Sequence, residues 1–289
     1  MKAWIVYRKK DVEKNEVFIK YLIESCAKNS VQASLIIREK IVFGILDDGI
    51  GLSYDGERVS ELPAFSINRC ADSFLSKSME QMGIRVFNNS QVCEICNDKA
   101  RTHRHLAKTG VKQLETLFFN KDNFNPAFIS FAYPFVAKPT DLSGGKDVCL
   151  IKNEKELVQY VERIQSANFI IQKLSGTLGK DLRVYVVGNE IVVSILRFSN
   201  SDFRSNYGLG GDFTSYSLSD FEKQIVKKII CEFDFGLVGI DFLFDGEGQL
   251  IFNEIEDSVG CKMLYQNNTI NIAEEYVSFI LISLTKCIC

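Results

Sequence analysis

The order of apolar and polar residues over positions 1–96 predicts strands that alternate with helices. Strand-like segments rich in Ile, Val and Phe are "KAWIVY", "SLIIREKIVFGIL", "LPAFSINR" and "IRVFNN". Apolar residues at helical spacing occur in "NEVFIKYLIESCAKNS" and in "DSFLSKSMEQMG", which ends at Gly83. Because this alternation is typical of a parallel sheet, we predict a small, largely parallel α/β domain in this part of the chain.

From residue 97 onward the pattern changes to a β-rich α+β arrangement. Helices are predicted for "DKARTHRHLAKTG", "EKELVQYVERIQ", "LSDFEKQIVKKIICEF" and "NIAEEYVSFILISLTK". Strands are predicted for "PFVAKPT", "VCLIK", "NFIIQKL", "DLRVYVVGN" and "EIVVSILRF". Strands that are not each followed by a helix are typical of an α+β fold.

The last predicted hairpin ends in a group of acidic residues. Its strands, "GIDFLF" and "QLIFNEIE", flank the turn signal "DGEG". With an even-numbered turn, such as the four residues from Asp245 to Gly248, Phe244 is expected to pair with Gln249. Three carboxylates then share one face of the hairpin: Asp241, Glu254 and Glu256. Burying them unpaired would cost more than the hairpin gains, whereas Mg²⁺ prefers such oxygen ligands. The alternative is the solvated face of an edge hairpin.

Lys138 ends an apolar strand, and Ser143-Gly144-Gly145 follow it closely. Glycines leave backbone N–H groups free to surround a phosphate, and a lysine adds a point charge. The loop is not a Walker A motif, because "GKDV" lacks Ser or Thr after the lysine. The alternative is a lysine that caps the edge of a strand.

Two arginines, Arg197 and Arg204, lie in and beside the polar segment "SNSDFRSN". The planar guanidinium suits phosphate and carboxylate groups, so one interpretation is an anion clamp. The alternative is a solvated loop. In "IIQKL" and "GKDLR", by contrast, Lys173, Asp181 and Arg183 would by themselves pass for ordinary strand ends.

Composition narrows the classes of function. The chain is 46% hydrophobic and 25% charged with a net charge of -3, so no basic surface indicates a nucleic-acid partner. The longest apolar run, "YVSFILISL", is too short to span a membrane, and "MKAWIVY" lacks the features of a secretory signal. We therefore expect a cytoplasmic protein with reduced thiols, in which the lone C-x-x-C of Cys93 and Cys96 is buried or idle rather than a zinc site.

Taken in order, these motifs resemble the RimK-type carboxylate–amine ligases of the ATP-grasp superfamily. The resemblance extends from about residue 64 to residue 262 and includes "NDKARTHRHLAKTGV", "FVAKPTDLSGGKDV", "IIQKL", "GKDLRVYVVGNEIV", "DFRSN" and "GIDFLFD…IFNEIE". It implies an ATP-grasp fold in three units: an N-terminal α/β domain at 1–96, a central nucleotide lobe at 97–186, and a C-terminal lobe with the metal-binding hairpin at 187–289.

The resemblance also implies roles for individual residues. ATP phosphates would contact Lys99 and Lys138. The nucleoside would contact the adenine hinge and one carboxylate: Gln172, Lys173, Leu174 and Asp181. The phosphate and acyl-phosphate region would be lined by Arg204, Ser205 and Asn206, with Arg204, Lys138 and Arg197 as the catalytic set. The metal ligands would be Asp241, Glu254 and Glu256, binding Mg²⁺ with Mn²⁺ as an alternative.

By resemblance the chain is an ATP-dependent ligase that forms an amide through an acyl phosphate, with a small-molecule or peptide carboxylate and amine as partners. A homo-oligomer is expected on the same basis. Two features depart from the family pattern: Glu256 stands where Asn is usual, and "DSVGCKML" replaces a Ser-Pro-Gly segment. The alternatives are a small-molecule kinase on the same scaffold and a nucleotide-binding module without turnover. For the base that deprotonates the amine, Glu256 and Asp257 are the nearest candidates.

Overall fold

The computed structural model describes residues 1–46, 49–142, 144–145, 147–174, 176–199, 212–266 and 270–285. Its strands are β1 (Lys2–Tyr7), β2 (Gln32–Ile37), β3 (Ile41–Leu46), β4 (Gly49–Tyr54), β5 (Glu57–Arg58), β6 (Phe65–Asn68), β7 (Arg85–Phe87), β8 (Thr116–Asn120), β9 (Phe135–Pro139), β10 (Cys149–Ile151), β11 (Asn168–Gln172), β12 (Lys180–Val187), β13 (Glu190–Phe198), β14 (Asp212–Ser215), β15 (Leu237–Phe244) and β16 (Leu250–Glu256). Its α-helices are α1 (Lys9–Val12), α2 (Glu16–Lys28), α3 (Ser73–Gln81), α4 (Ser90–Cys96), α5 (Lys99–Leu106), α6 (Glu154–Arg163), α7 (Asp220–Ile230), α8 (Lys262–Gln266) and α9 (Ile272–Thr285).

The N-terminal part contains the predicted parallel sheet, with strand order β2-β1-β6-β7. One segment differs from the prediction. The strand-like run at 34–46 is divided by a short 3-10 turn at Arg38–Lys40, after which β3 joins β4 and β5 in a separate antiparallel sheet. The polar residues of the turn interrupt the apolar run, and Arg38 Nε donates to the Asp72 carboxylate at 2.7 Å.

Two antiparallel sheets form the rest of the fold, as the α+β pattern predicted. One has the order β10-β9-β11-β8 and the other the order β14-β13-β12-β15-β16. β12, which the predicted boundary at residue 186 assigns to the central lobe, is hydrogen-bonded to β13 and β15 in the second sheet. The C-terminal helix α9 packs with α2 of the N-terminal domain in one shared core. Within the described ranges, no helix combines the length and the apolar content needed to cross a bilayer.

The register predicted for the β15–β16 hairpin is wrong. Phe244 pairs with Leu250 instead of Gln249, so the connecting turn has an odd number of residues. The Asp245 carboxylate stabilises this longer turn by accepting from the backbone N–H groups of Glu247 and Gln249 at 2.9 and 2.8 Å. Side-chain hydrogen bonding of this kind is the mechanism of Asx turns.

A β-bulge compensates for the shifted register. The pairing slips between Asp241 and Phe242, which leaves Asn253 as the extra residue of β16 and places Glu254 directly opposite Asp241. Glu256 then lies opposite Gly239, two positions farther along the same face. The predicted outcome, three carboxylates on one face, is therefore correct, although a bulge produces it rather than a regular hairpin.

Candidate active site

A pocket lies between the two antiparallel sheets. Residues from both sheets and from α5 line it. They include the predicted metal ligand Glu254 and most of the predicted nucleotide contacts: Lys99, Lys138, Gln172, Lys173, Leu174 and Asp181. Arg204, Ser205 and Asn206 lie outside the described residues.

Lys99 is positioned by the start of α5. Asp98 caps this helix by accepting from Arg101 N at 2.9 Å, so Lys99 is the first helical residue. Its Nζ lies 3.2 Å from a Glu254 carboxylate oxygen and also donates to the backbone carbonyl of Leu142 in the glycine loop. Lys99 therefore connects the predicted phosphate loop with the acidic hairpin.

Lys138 reaches the same point from β9. It is 5% exposed, and its Nζ donates to Asn253 Oδ1 at 3.0 Å. Burial lowers the pKa of Lys138 to about 8, although Glu254 acts in the opposite direction. The contact with Asn253 depends on the bulge, because the bulge adds this residue to β16 beside Glu254.

Charged residues form cross-strand pairs along one face of the second sheet. Arg183 pairs with Asp241 across β12 and β15, and Arg197 pairs with Asp181 across β13 and β12. Arg183 donates from Nε and Nη2 to the two oxygens of Asp241, at 2.8 and 2.6 Å. Opposed residues in antiparallel strands have side chains within reach of each other, which explains these contacts.

Arg197 is buried and bonded to carboxylates of the protein, unlike the loop-edge anion clamp that the sequence suggested. It is 3% exposed and holds both oxygens of Asp181, at 2.6 and 2.7 Å. Its Nη2 also donates to Asp241 at 2.8 Å. Its guanidinium is thus already bonded to two carboxylates, and its predicted catalytic role stays a prediction.

The carboxylates of the hairpin form the one group in the described part of the chain that could hold a metal ion. Each of Asp241, Glu254 and Glu256 offers an oxygen, and these oxygens lie within 4.8 Å of one another. Oxygen-only ligands of this kind suit Mg²⁺. The residues present therefore fit the predicted ion.

The argument that unpaired carboxylates require a metal is nevertheless wrong for this arrangement. Four carboxylates (Asp181, Asp241, Glu254 and Glu256) face four cations (Lys99, Lys138, Arg183 and Arg197), so their formal charges cancel. Sequence reasoning missed this because the cations belong to other strands. Cross-strand pairing was the signal that could have found Arg183, whereas nothing in the sequence marks the bulge at Asn253.

The pKa values of the three hairpin carboxylates differ because their partners differ. Burial raises the pKa of Asp241, but Arg183 and Arg197 outweigh it and hold the value at about 2. Burial acts on Glu254 in the same sense, and the nearby lysines again outweigh it and lower its pKa. For Glu256 burial dominates and raises the pKa despite the Arg183 contact at 2.8 Å. Glu256 is thus the most easily protonated of the three.

His103 is buried behind the pocket, while His105 packs on Phe233 with ring centroids 4.6 Å apart. The two rings therefore face different ways. Burial, reinforced by Lys138, lowers the pKa of His103 to about 4. His103 is therefore neutral near pH 7.

We expect the free energy of unfolding to fall as the pH drops from 6.5 to about 4. Over this window the unfolded chain binds a proton at His103 and the folded chain does not, which corresponds to a loss of about 3 kcal/mol. Urea unfolding at a series of pH values measures the slope. His103→Phe should flatten it and His105→Phe should not; equal slopes in all three proteins would contradict the assignment.

Side chains from the N-terminal part of the chain form hydrogen bonds with the end of the acidic hairpin. Arg69 is buried, and its guanidinium donates to the backbone carbonyls of Asp257 and Val259. The Asp257 carboxylate accepts from Asn88 at 2.5 Å and from Asn97 at 2.9 Å. Asp257 thus anchors the strand end that carries Glu256 and faces away from the pocket.

The C-x-x-C motif lies beside this anchor. Cys93 and Cys96 are buried free thiols, and Asn97 Nδ2 donates to Cys93 Sγ at 3.3 Å. Burial raises the pKa of both thiols. Their burial agrees with the structural interpretation made from the sequence.

Two sheets that enclose a pocket lined by lysines and an acidic hairpin define an ATP-grasp protein. The profile of the RimK-like ATP-grasp domain matches residues 96–280, and the chain belongs to this family of ATP-dependent carboxylate–amine ligases. The predicted fold and family are confirmed.

Individual proteins agree with this assignment. Beta-citrylglutamate synthase B of Danio rerio is 27% identical, over 91% of this chain and 69% of its own. The probable alpha-L-glutamate ligase of Maridesulfovibrio salexigens is 24% identical over 97% of this chain and 95% of its own. The structure of the D-alanine–D-alanine ligase of Bacillus anthracis in complex with ATP superposes on this chain with a TM-score of 0.72. The match covers 99% of this chain and 98% of the ligase at 14% sequence identity, and it supports the fold.

Proposed function

We propose that this protein uses ATP to join the carboxylate of one substrate to the amine of another, with an amino acid or peptide among them, through an acyl phosphate. The observation that carries the proposal is the meeting of Lys99 and Lys138 with Glu254 at the inner end of the pocket. Lysines beside a carboxylate cluster are the arrangement that phosphoryl transfer needs, because charge must be balanced as the γ-phosphoryl group moves.

In the first step a substrate carboxylate oxygen attacks the γ-phosphorus of ATP, and ADP leaves. Lys99 and Lys138 would hold the transferred group, while Gln172 to Leu174 and Asp181 would hold the nucleoside. In the second step the amine attacks the acyl carbon, the C–N bond forms, and inorganic phosphate leaves with one oxygen of the carboxylate. Arg197, Arg204, Ser205 and Asn206 are proposed to line the region where these groups meet.

Asp241, Glu254 and Glu256 would hold Mg²⁺. When bound, this ion would neutralise phosphate charge and orient the phosphate oxygens. The arginines already bonded to Asp241 keep that carboxylate ionised and fixed in position, since they hold its pKa at about 2. Its ionisation therefore does not depend on the ion.

Glu256 is the better of the two candidates for accepting the proton of the incoming ammonium group. It lies on the face of the carboxylate cluster, and it would serve as the base only while it is not bound to Mg²⁺. Asp257 is excluded from this role because its carboxylate is bonded to Asn88 and Asn97 on the other side of the strand.

An acidic amino acid, or a peptide that contains one, is proposed as a substrate. The support comes from two relatives whose names specify a glutamate ligase and a citrylglutamate synthase. Each of those names contains glutamate, an acidic amino acid. A screen of acidic amino acids and short acidic peptides for ATP-dependent phosphate release would identify the pair.

We expect one oxygen-18 atom of a labelled substrate carboxylate to appear in the released phosphate. The carboxylate oxygen that attacks ATP stays on phosphorus when the amine displaces the phosphate, so the transfer is required by the mechanism. Mass spectrometry of the phosphate and of the amide product measures it. A phosphate that stays on the product, as in a kinase, would refute the proposal, as would label derived only from water.

A further inference from the structure

The side-chain amide of Gln172 forms part of the pocket wall at the predicted adenine hinge. Its Nε2 lies 3.0 Å from His103 Nε2 and 2.9 Å from Thr116 Oγ1, and both partners lie behind the wall. An amide nitrogen has two hydrogens, so the two contacts use both if each partner accepts. The orientation of the amide therefore depends on what His103 and Thr116 can offer.

His103 must accept at Nε2. The Gln113 side chain donates from Nε2 to the His103 backbone carbonyl at 3.3 Å, which turns its Oε1 toward His103 Nδ1 at 2.5 Å. The Nδ1 atom therefore carries the proton of the ring. In a neutral imidazole the other nitrogen then has a lone pair and no hydrogen.

Thr116 must accept as well. Its hydroxyl donates to the backbone carbonyl of Leu114 at 2.8 Å, so the hydrogen is already used and the oxygen faces Gln172 with lone pairs. Two independent groups thus impose the same orientation on the amide. Turning it over would set the Gln172 oxygen against two acceptors and leave the hydrogens without partners, which is costly in a buried place.

We infer that Gln172 presents its carbonyl oxygen to the nucleobase as a fixed hydrogen-bond acceptor, and that His103 is the positioning residue that fixes it. The oxygen has no partner among the described residues, and Gln172 lines the pocket. This inference rests on the proposed use of the pocket for a nucleoside triphosphate. The site then selects a purine with an amino group at position 6 and rejects a purine with a carbonyl there.

Wild-type protein alone can test the selection. Isothermal titration with Mg²⁺ and three diphosphates that differ only at position 6 (ADP, the 6-unsubstituted purine riboside diphosphate and IDP) should give decreasing affinity in that order. The unsubstituted purine loses one hydrogen bond, and IDP in addition places an acceptor against the Gln172 oxygen. The affinities of ADP and IDP should therefore differ by about tenfold or more. Equal affinities for ADP and IDP would overturn the inference and leave the ligase proposal standing. No binding of any of the three would count against the proposed function itself.

Substitutions test the role of His103 in the same titration. His103→Phe keeps a ring against Phe252, whose centroid lies 5.4 Å from that of His103, but it removes the acceptor, so the ratio of ADP to IDP affinity should fall severalfold. Gln172→Met should remove most of the ratio, and the matched control His105→Phe should leave it unchanged. If His103→Phe, shown to be folded by its melting curve, kept the full ratio while Gln172→Met lost it, His103 would not be the positioning residue.

Discussion

Glu254→Gln should reduce magnesium-dependent ATP turnover by at least about a hundredfold, because a charged ligand that helps to balance the phosphates is worth several kcal/mol. The fold should remain intact. Glu254 lines the pocket and contacts Lys99 at one edge of the sheet, and glutamine preserves its shape. Turnover is measured as ADP release in the presence of both substrates.

The same variant can be tested without knowing the substrates. Titration of Mg²⁺ into protein saturated with ADP should show a weaker dependence on the ion than in wild type. Glu247→Gln, in the exposed turn of the same hairpin, is the matched control and should behave like wild type. Near-normal turnover in Glu254→Gln would show that the hairpin is not the metal site.

Asp241→Asn is not an equivalent variant, although it lies in the same cluster. Asp241 accepts three hydrogen bonds from two buried arginines, and removing one partner of a buried ion pair typically costs about 3–5 kcal/mol. Loss of turnover in this variant would therefore combine a metal effect with a stability effect. A melting curve recorded beside the turnover assay separates the two.

Lys138→Met should weaken MgATP binding by about ten- to a hundredfold and also slow the chemistry, since it removes a buried positive charge from the phosphate site. Although Lys138→Met should weaken nucleotide binding, it should not lower the stability of the fold. Burial lowers the pKa of Lys138 to about 8, so the charged form is disfavoured in the fold at pH 7, and methionine removes that cost. We expect an equal or higher melting temperature in the absence of nucleotide.

Calorimetry of nucleotide binding and thermal unfolding together check this prediction. Lys152→Met, at an exposed position just after β10, is the matched control and should change neither quantity. Unchanged nucleotide affinity in Lys138→Met would remove Lys138 from the phosphate site. A large fall in melting temperature would instead show that Lys138 stabilises the fold through Asn253 and Glu254.

Most elements of the fold could be predicted from the sequence because each depends on a local period. Helices such as α2, α7 and α9 match the apolar spacing of their segments, and β1, β11, β12 and β13 match the predicted strands. The division at 34–46 was missed because a short polar interruption in an apolar run does not by itself reveal that the next strand joins another sheet.

The carboxylates of the candidate site could also be predicted from the sequence, but the cations that pair with them could not. The period of two along β16 was enough to put Glu254 and Glu256 on one face. The arginines that neutralise Asp241 come from positions 58 and 44 residues away in the chain, on strands whose pairing the local pattern does not specify. A charge that looks unpaired in the sequence is therefore paired in the fold.

Local patterns in the sequence specify most of the helices and strands, their order, and the residue types that bring phosphate and metal chemistry to the chain. The bulge at Asn253, the burial of Arg69 against the hairpin end, and the contact between His103 and Gln172, which are 69 residues apart, arise only in the folded protein. The difference comes from the distance along the chain over which the interactions act. Secondary structure follows from neighbouring side chains, whereas protonation, charge balance and amide orientation depend on groups that meet only when distant strands and helices pack together.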